Sequence, residues 1–190
     1  MLFADRGYTA TTIELIAETA GVAVQTIYNT LGSKRGILVG LIGAVDGYAV
    51  DPRIRREPDA EEIVRIVADG AVAENAQGAA LHRVVMGAAA ADREVAELER
   101  RHAARRLDAH REIARELESR EALADALTVD DAAATMSALS APEAYRRLVL
   151  EGDWEASRYA RWLERALRVQ LLRAPTLDAE LQAAIRSRPL

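Results

Sequence analysis

Beyond residue 59, apolar residues recur every three or four positions, which is the spacing of one face of an α-helix. The pattern predicts helices over about residues 59–78, 81–88 and 92–119, and further helices that begin at Thr128, Pro142 and Trp154. No segment shows the sustained alternation of apolar and polar residues that is typical of a strand. The chain is therefore predicted to be all-α.

The first fifty residues contain several glycines and threonines and the only lysine of the chain, Lys34. Here the pattern predicts a helix that starts at Thr11-Thr12, a turn at Ala20-Gly21-Val22, and a short second helix from Val24 to Thr30. Ser33 is placed to cap a third helix. Two short helices around a glycine turn are what a helix-turn-helix requires.

The link between the two halves of the chain is rich in prolines and charges. Pro52 and Pro58 interrupt the apolar pattern between positions 51 and 59. We therefore predict two domains, over residues 1–50 and 51–190.

Composition removes several classes of function. Cysteine is absent, which excludes disulfide scaffolds, thiolate zinc sites and cysteine nucleophiles. Aromatic residues make up only 4% of the chain, as expected for an all-helical protein. No metal-spaced cluster and no glycine-rich phosphate loop occurs in the sequence, so we expect neither a metal nor a cofactor.

Charge and hydropathy limit the partners. The net charge of -5 gives no global signature of a nucleic-acid binder, so any DNA binding has to come from a local motif. The sequence has no run of ~18 apolar residues and no charged-then-apolar leader, so we expect a cytoplasmic protein without membrane contact.

Several short motifs succeed one another at a specific spacing near the N-terminus: Phe3 to Tyr8, Thr11-Thr12-Ile13, Ile16-Ala17, Ala20-Gly21-Val22, Thr26-Ile27-Tyr28 and Ser33-Lys34. Together they resemble the DNA-binding domain of the TetR family of bacterial transcriptional regulators, over Phe3 to Leu41. The resemblance implies that residues 1–50 are a helix-turn-helix DNA-binding domain. Residues 51–190 would then be a helical effector-binding and dimerisation domain.

By this resemblance, Val24 to Thr30 is the recognition helix, which enters the major groove of a double-stranded DNA operator. The implied base readers are Val24, Gln25 and Thr26, and Gln25 is able to pair bidentately with adenine. The implied phosphate contacts are Thr12, Tyr28, Asn29 and Lys34.

A single helix-turn-helix reads too few base pairs to be selective, so we expect a homodimer on a palindromic operator. The last two helices carry apolar residues on more than one face, and these are predicted to form the dimer interface: Tyr145, Leu148, Val149, Tyr159, Trp162, Leu163, Ala166 and Leu167. The alternative is that they complete the core of one monomer.

The resemblance also implies a small-molecule effector that binds among the middle helices. The predicted pocket combines apolar residues with polar groups that could meet an effector: Val67, Ala71, Met86, His102, Arg106, His110 and Ile113. The alternative is that the polar members are partly exposed side chains that pair with neighbouring glutamates.

Two features depart from the family pattern. The sequence opens at Met1-Leu2-Phe3, where the family has a complete first helix, so either the coding start lies further upstream or this helix is truncated. Residues 1–50 hold three cations against four carboxylates, and one of these, Glu14, could repel phosphate or accept from a cytosine amino group.

These features support three hypotheses. The first is a homodimeric DNA-binding regulator, most often a repressor in this family, which a small effector releases. The second is a dimeric helical ligand-binding protein whose N-terminal domain no longer binds DNA. The third, a small helical enzyme, has little support, because the chain has only three histidines and no nucleophile that can be placed beside one of them.

Overall fold

The fold comes from a computed structural model, which describes residues 2–45 and 49–174. In these residues the chain is all-α, with one isolated β-bridge between Leu123 and Leu172. The helices are α1 (Leu2–Arg6), α2 (Ile13–Ala20), α3 (Val24–Leu31), α4 (Lys34–Val45), α5 (Ala60–Ala89), α6 (Arg93–Ser119), α7 (Val129–Leu139), α8 (Pro142–Tyr145) and α9 (Ala156–Leu171), and a π-helical turn (Arg146–Leu150) comes directly after α8. We call residues 2–45 the head and residues 49–174 the body. No helix in the described parts of the chain is long and apolar enough to cross a membrane.

The head contains the predicted helix-turn-helix, formed by α2 and α3. Gly21 ends α2 in the left-handed conformation, with φ 68°, which glycine adopts without steric cost. The N–H of Val22 donates to the carbonyl of Ala17 and closes the turn. Ile13, Ala17 and Ile27 form a small core between the two helices. This core fixes α3 against α2.

The turn from α3 to α4 is unusually tight. Ser33 N donates to the Leu31 carbonyl at 2.8 Å, and Gly32 lies between them with φ 72° and ψ -43°, which is a γ-turn with positive φ. Ser33 then caps α4 as predicted, since its hydroxyl accepts from Gly36 N at 3.0 Å. The end of α3 and the start of α4 are therefore held closely together.

In the body, the predicted break at Gly78 is wrong. One helix, α5, runs from Ala60 to Ala89 without interruption. A glycine inside a helix costs about 1 kcal/mol, but buried residues on both sides of it, from Ile63 to Ala88, hold the helix in place. Tertiary packing outweighs the local preference. The other predicted starts agree with the structure, and Thr128 caps α7.

The main core lies between α5, α6, α7 and α9. Four side chains at four-residue spacing on α9 are fully buried there: Tyr159, Leu163, Leu167 and Leu171. The ring of Tyr145 packs edge-on against Tyr159, with 5.3 Å between centroids. Each of these large apolar side chains contributes about 1.5–3 kcal/mol by leaving water. This core gives α6 a rigid support.

The head packs against the body through a second core. Phe3 and Leu38 of the head are buried there with Val84, Val85 and Val95 of α5 and α6. The contact is apolar and continuous, so it fixes the position of α4 relative to α5.

An ion pair lies beside this contact. Arg35 donates from Nε to Asp92 Oδ2 at 3.3 Å and also pairs with Glu94. Asp92 caps α6 at the same time, because its carboxylate accepts from the backbone N–H groups of Glu94 and Val95. The start of α4 is thus tied to the start of α6.

Candidate nucleic-acid interface and ligand cavity

Helix α3 is anchored on one side and exposed on the other. Ile27 is buried in the small core of the head, at 5% exposure. Gln25, Tyr28 and Asn29 lie three and four positions apart, on one face, and all three are exposed; Tyr28 keeps 46% of its surface. Thr26 is also exposed. The helix therefore presents a polar face of the size and character that a major groove accepts.

Asn29 orients Gln25. The Gln25 Nε2 group donates to Asn29 Oδ1 at 2.9 Å, one helical turn away. The second Nε2 proton and the Oε1 acceptor remain for a partner, and this is the pair that an adenine edge matches. Asn29 was predicted to contact phosphate; in the structure its side chain accepts this hydrogen bond from Gln25.

Val24 differs from its prediction as a base reader. Its side chain is half-buried and packs against the small core that contains Ile13 and Ile27. Gln25 and Thr26 are the exposed members of the predicted base-reading set.

Thr12 is exposed at the start of α2, where its hydroxyl accepts from Leu15 N at 3.2 Å and caps the helix. The neighbouring Glu14 is also exposed. Its own backbone N–H and the Thr12 hydroxyl hold the pKa of the Glu14 carboxyl below its usual range. A phosphate near Thr12 would therefore meet a carboxylate that is charged at neutral pH.

Lys34 makes contacts within the head that the sequence did not predict. Its Nζ donates to the carbonyls of Tyr8 at 2.8 Å, Thr11 at 2.9 Å and Thr9 at 3.4 Å. It also lies 4.4 Å from the centroid of the Tyr8 ring. Three carbonyls take up the three donors of an ammonium group. The predicted phosphate contact of Lys34 would need some of these bonds to be exchanged.

The helix-turn-helix also matches a known family. Residues 1–41 match the family model of the bacterial regulatory proteins of the tetR family. The chain carries a TetR family N-terminal domain. This match supports a TetR-like DNA-binding regulator. A comparison with curated proteins found no match.

Behind the TetR-like head, the body contains a cavity of about 210 Å³. It lies between α5 and α6 and reaches Ile42 of α4 and the first residues of the body: Ala49, Val50, Asp51, Arg53 and Ile54. Six of the predicted pocket residues line it: Val67, Ala71, His102, Arg106, His110 and Ile113. Within the described ranges, no three acidic or histidine side chains are grouped as metal ligands would be.

Three polar residues of the cavity lining succeed one another at four-residue spacing on α6: His102, Arg106 and His110. His110 is only 9% exposed, and its Nδ1 has no hydrogen-bond partner among the described residues. Burial, aided by the charge of Arg106, lowers the pKa of His110 to about 4. His110 is thus a neutral imidazole at physiological pH.

Sequence reasoning misplaced one pocket residue and missed others. Met86 is exposed and does not line the cavity, because it lies on the outer face of α5. Asn75 is buried and lines the cavity, and its side chain donates to the Ser140 carbonyl at 3.0 Å. Glu74 lines the cavity and also meets solvent; burial raises the pKa of its carboxyl, and the charge of Arg106 opposes that rise. Asn75 lies four positions after Ala71, a signal that could have found it.

Half of the predicted dimer interface is wrong. Tyr145, Tyr159, Leu163 and Leu167 are buried in the core of the monomer, with exposures of 0–4%, and cannot reach a partner copy. A stripe at four-residue spacing serves a monomer core equally well, and here the core takes it. The remaining predicted residues are partly buried at the edge of that core: Leu148, Val149, Trp162 and Ala166.

Proposed function

We propose that this protein is a transcriptional repressor that binds a palindromic operator as a homodimer and leaves it when a small molecule enters the cavity. The observation that carries the DNA-binding part is the exposed face of Gln25, Tyr28 and Asn29 on a helix anchored by Ile27. Such a face combines a side chain suited to a base edge with neighbours suited to phosphate oxygens.

The charges of the head favour a dimer. Lys34 and Arg35 are engaged with carbonyls and carboxylates of the protein itself. Few cations are left to neutralise phosphates, so one head alone would bind DNA weakly. Two heads whose recognition helices lie about 34 Å apart would read successive turns of the duplex and add their affinities.

The outer face of α9 supports a dimer contact. Trp162, Ala166 and Val169 are spaced by four and three positions, so they share a face. Val169 is 68% exposed and so offers apolar surface to a partner. We propose this face, continued by Leu148 and Val149, as the interface between two copies.

The position of the cavity supports control by an effector. Ile42 belongs to α4 of the head, Val50 and Ile54 lie at the start of the body, and all three line the cavity. A ligand that contacts these residues and α6 together changes the position of the heads if it fits one arrangement better than another. This differential fit is what an effector needs.

The decisive experiment selects bound sequences from random DNA with the purified protein and then measures their affinity by fluorescence anisotropy. An enriched palindrome is expected. Gln25→Ala should change base preference by about 1–3 kcal/mol at one position in each half-site. Tyr28→Phe, which removes only a hydroxyl, should weaken all sequences alike by about 0.5–1.5 kcal/mol. Gln77→Ala, at an exposed glutamine of α5, is the matched control and should change neither.

If no sequence is enriched and Gln25→Ala binds DNA like the wild type, the DNA-binding part of the proposal fails. The remaining hypothesis is then a helical ligand-binding protein whose head does not bind DNA. The dimer is tested separately by light scattering. Val169→Glu should yield monomers, and Ala134→Glu, at an exposed position of α7, should leave dimers intact. A wild-type protein that is monomeric at micromolar concentration contradicts the proposed interface.

A further inference from the structure

The cavity in the body is small, and its size limits the ligand. A cavity of roughly 150 Å³ holds benzene, whereas drug-sized ligands occupy about 300–1,000 Å³. The volume here is about 210 Å³. In proportion to benzene, this space holds roughly eight non-hydrogen atoms, which is one six-membered ring with two small substituents.

The lining of the cavity is mostly apolar, and its charges nearly balance. Among the described residues that line it are the carboxylates of Asp51, Glu74 and Glu99 and the guanidinium groups of Arg53 and Arg106. Asp51 and Arg53 pair with each other at 2.7 Å. An anionic ligand would add negative charge to a lining that already carries one carboxylate more than it has cations, which disfavours it.

A buried nitrogen of one lining residue, His110, has no hydrogen-bond partner in the part of the chain that the structure describes. His110 Nδ1 is shielded from solvent and makes no hydrogen bond to the described residues. Buried polar atoms without partners are rare in folded proteins, because each costs the free energy of its lost hydration. The positive charge of Arg106, one turn earlier on α6, disfavours an ammonium group beside this ring.

We infer that the cavity takes an uncharged, compact ring compound bearing one hydroxyl group, with the hydroxyl on His110 Nδ1. A hydroxyl both donates and accepts, so it satisfies this nitrogen in either tautomer of the neutral imidazole. The rest of the molecule lies against Val67, Ala71 and Ile113. This inference rests on the proposed function only for the release of the operator, since ligand binding itself needs no DNA.

The test uses two probes of the same size and an anionic one that is larger by two non-hydrogen atoms. These are p-cresol, p-xylene, in which a methyl group replaces the hydroxyl, and 4-methylbenzoate, in which a carboxylate replaces it. Isothermal titration calorimetry with the full chain and no DNA gives each dissociation constant. We expect p-cresol to bind roughly two- to tenfold more tightly than p-xylene, which is the range of one net hydrogen bond, and 4-methylbenzoate to bind most weakly.

His110→Leu keeps a similar volume and removes the nitrogen. It should abolish the preference for p-cresol over p-xylene, and its thermal unfolding temperature should not fall, because an unpaired polar atom has been removed. Met86→Leu, on the outer face of α5, should keep the preference. The wild-type comparison of the three probes stands by itself if the variant does not fold.

Equal binding of p-cresol and p-xylene to the wild type overturns the inference, and so does the absence of binding by all three or tightest binding of 4-methylbenzoate. A preference that survives His110→Leu overturns the role of His110. If p-cresol binds as expected but does not release a selected operator, the inference stands and the effector part of the proposed function fails. If p-cresol does not bind and the operator is still bound, the inference fails and the DNA-binding part of the proposed function stands.

Discussion

The tight turn between α3 and α4 allows a sharp test of how the recognition helix is held. Gly36 lies in the first turn of α4, against the end of α3. A Cβ built at this position would overlap the Leu31 carbonyl oxygen and lie 3.0 Å from the Leu31 carbonyl carbon. Both atoms belong to backbone that the Gly32 turn fixes, so no flexible side chain can move away. Gly36→Ala therefore forces α3 and α4 apart.

The cost of such overpacking is about 1–3 kcal/mol, and the strained carbonyl is that of the last residue of α3. For a chain of this size we expect a fall of about 2–4 °C in unfolding temperature for each kcal/mol, and a loss of DNA affinity. Circular dichroism at 222 nm measures the first quantity, and fluorescence anisotropy with a selected operator measures the second.

Gly40→Ala is the matched control. Gly40 lies on the same helix, one turn later, and a Cβ there meets no atom within 4 Å. Alanine should stabilise this position by about 0.5–1 kcal/mol, because glycine loses more chain entropy in a helix. The reasoning is refuted if Gly36→Ala unfolds at the same temperature as Gly40→Ala, or at a higher one.

Three further predictions address charge. Glu14→Gln should strengthen DNA binding at about 0.1 M salt, because it removes a charged carboxylate. The gain should disappear towards 1 M salt, because screening shortens the reach of a charge from about 10 Å to about 3 Å. Glu118→Gln is the control, and an unchanged DNA affinity of Glu14→Gln contradicts the prediction. Lys34→Met should destabilise the head by about 1–3 kcal/mol without DNA present, because three carbonyls lose their donor. Faster hydrogen exchange over residues 2–15 would report this loss. Unchanged exchange would mean that Lys34 acts on DNA alone. The folded protein keeps His110 neutral down to pH about 4, whereas the unfolded chain takes up the proton near pH 6.5, so stability falls as the pH drops through this window. Urea unfolding should show a loss of about 2–3 kcal/mol from pH 7.5 to 4.5 that is absent in His110→Leu, and equal losses would exclude His110 as the cause.

Local signals predicted the parts of the fold that depend on local chemistry. Thr128, Ser33 and Gly21 mark helix ends in the sequence, and each makes the cap or turn that its residue type favours. The break at Gly78 was wrong because the preference of a single glycine is about 1 kcal/mol, and the packing of a 30-residue helix exceeds it. Local preference determines where helices end only when no larger packing term opposes it.

Side-chain positions in the candidate sites could be predicted only where helical spacing alone determines which residues share a face. His102, Arg106 and His110 share a face of α6 by their spacing, and they do line one cavity. The contacts of Lys34 with Tyr8 and Thr11 join residues more than twenty positions apart, and no pattern along the chain encodes them. The apolar stripe of α9 could serve a monomer core or a dimer, and only the neighbouring helices decide between them.

The pairing of Arg35 with Asp92 affects how salt titrations of this protein are interpreted. The steepness with which DNA affinity declines as salt rises is commonly converted into a number of phosphate contacts. Here the same ions also weaken a bond inside the protein, which ties the start of α4 to the cap of α6. Ionic strength thus acts on the position of the head relative to the body as well as on the attraction between the head and DNA. The slope of the wild type therefore contains both contributions, and the slope of an Arg35→Gln variant separates them.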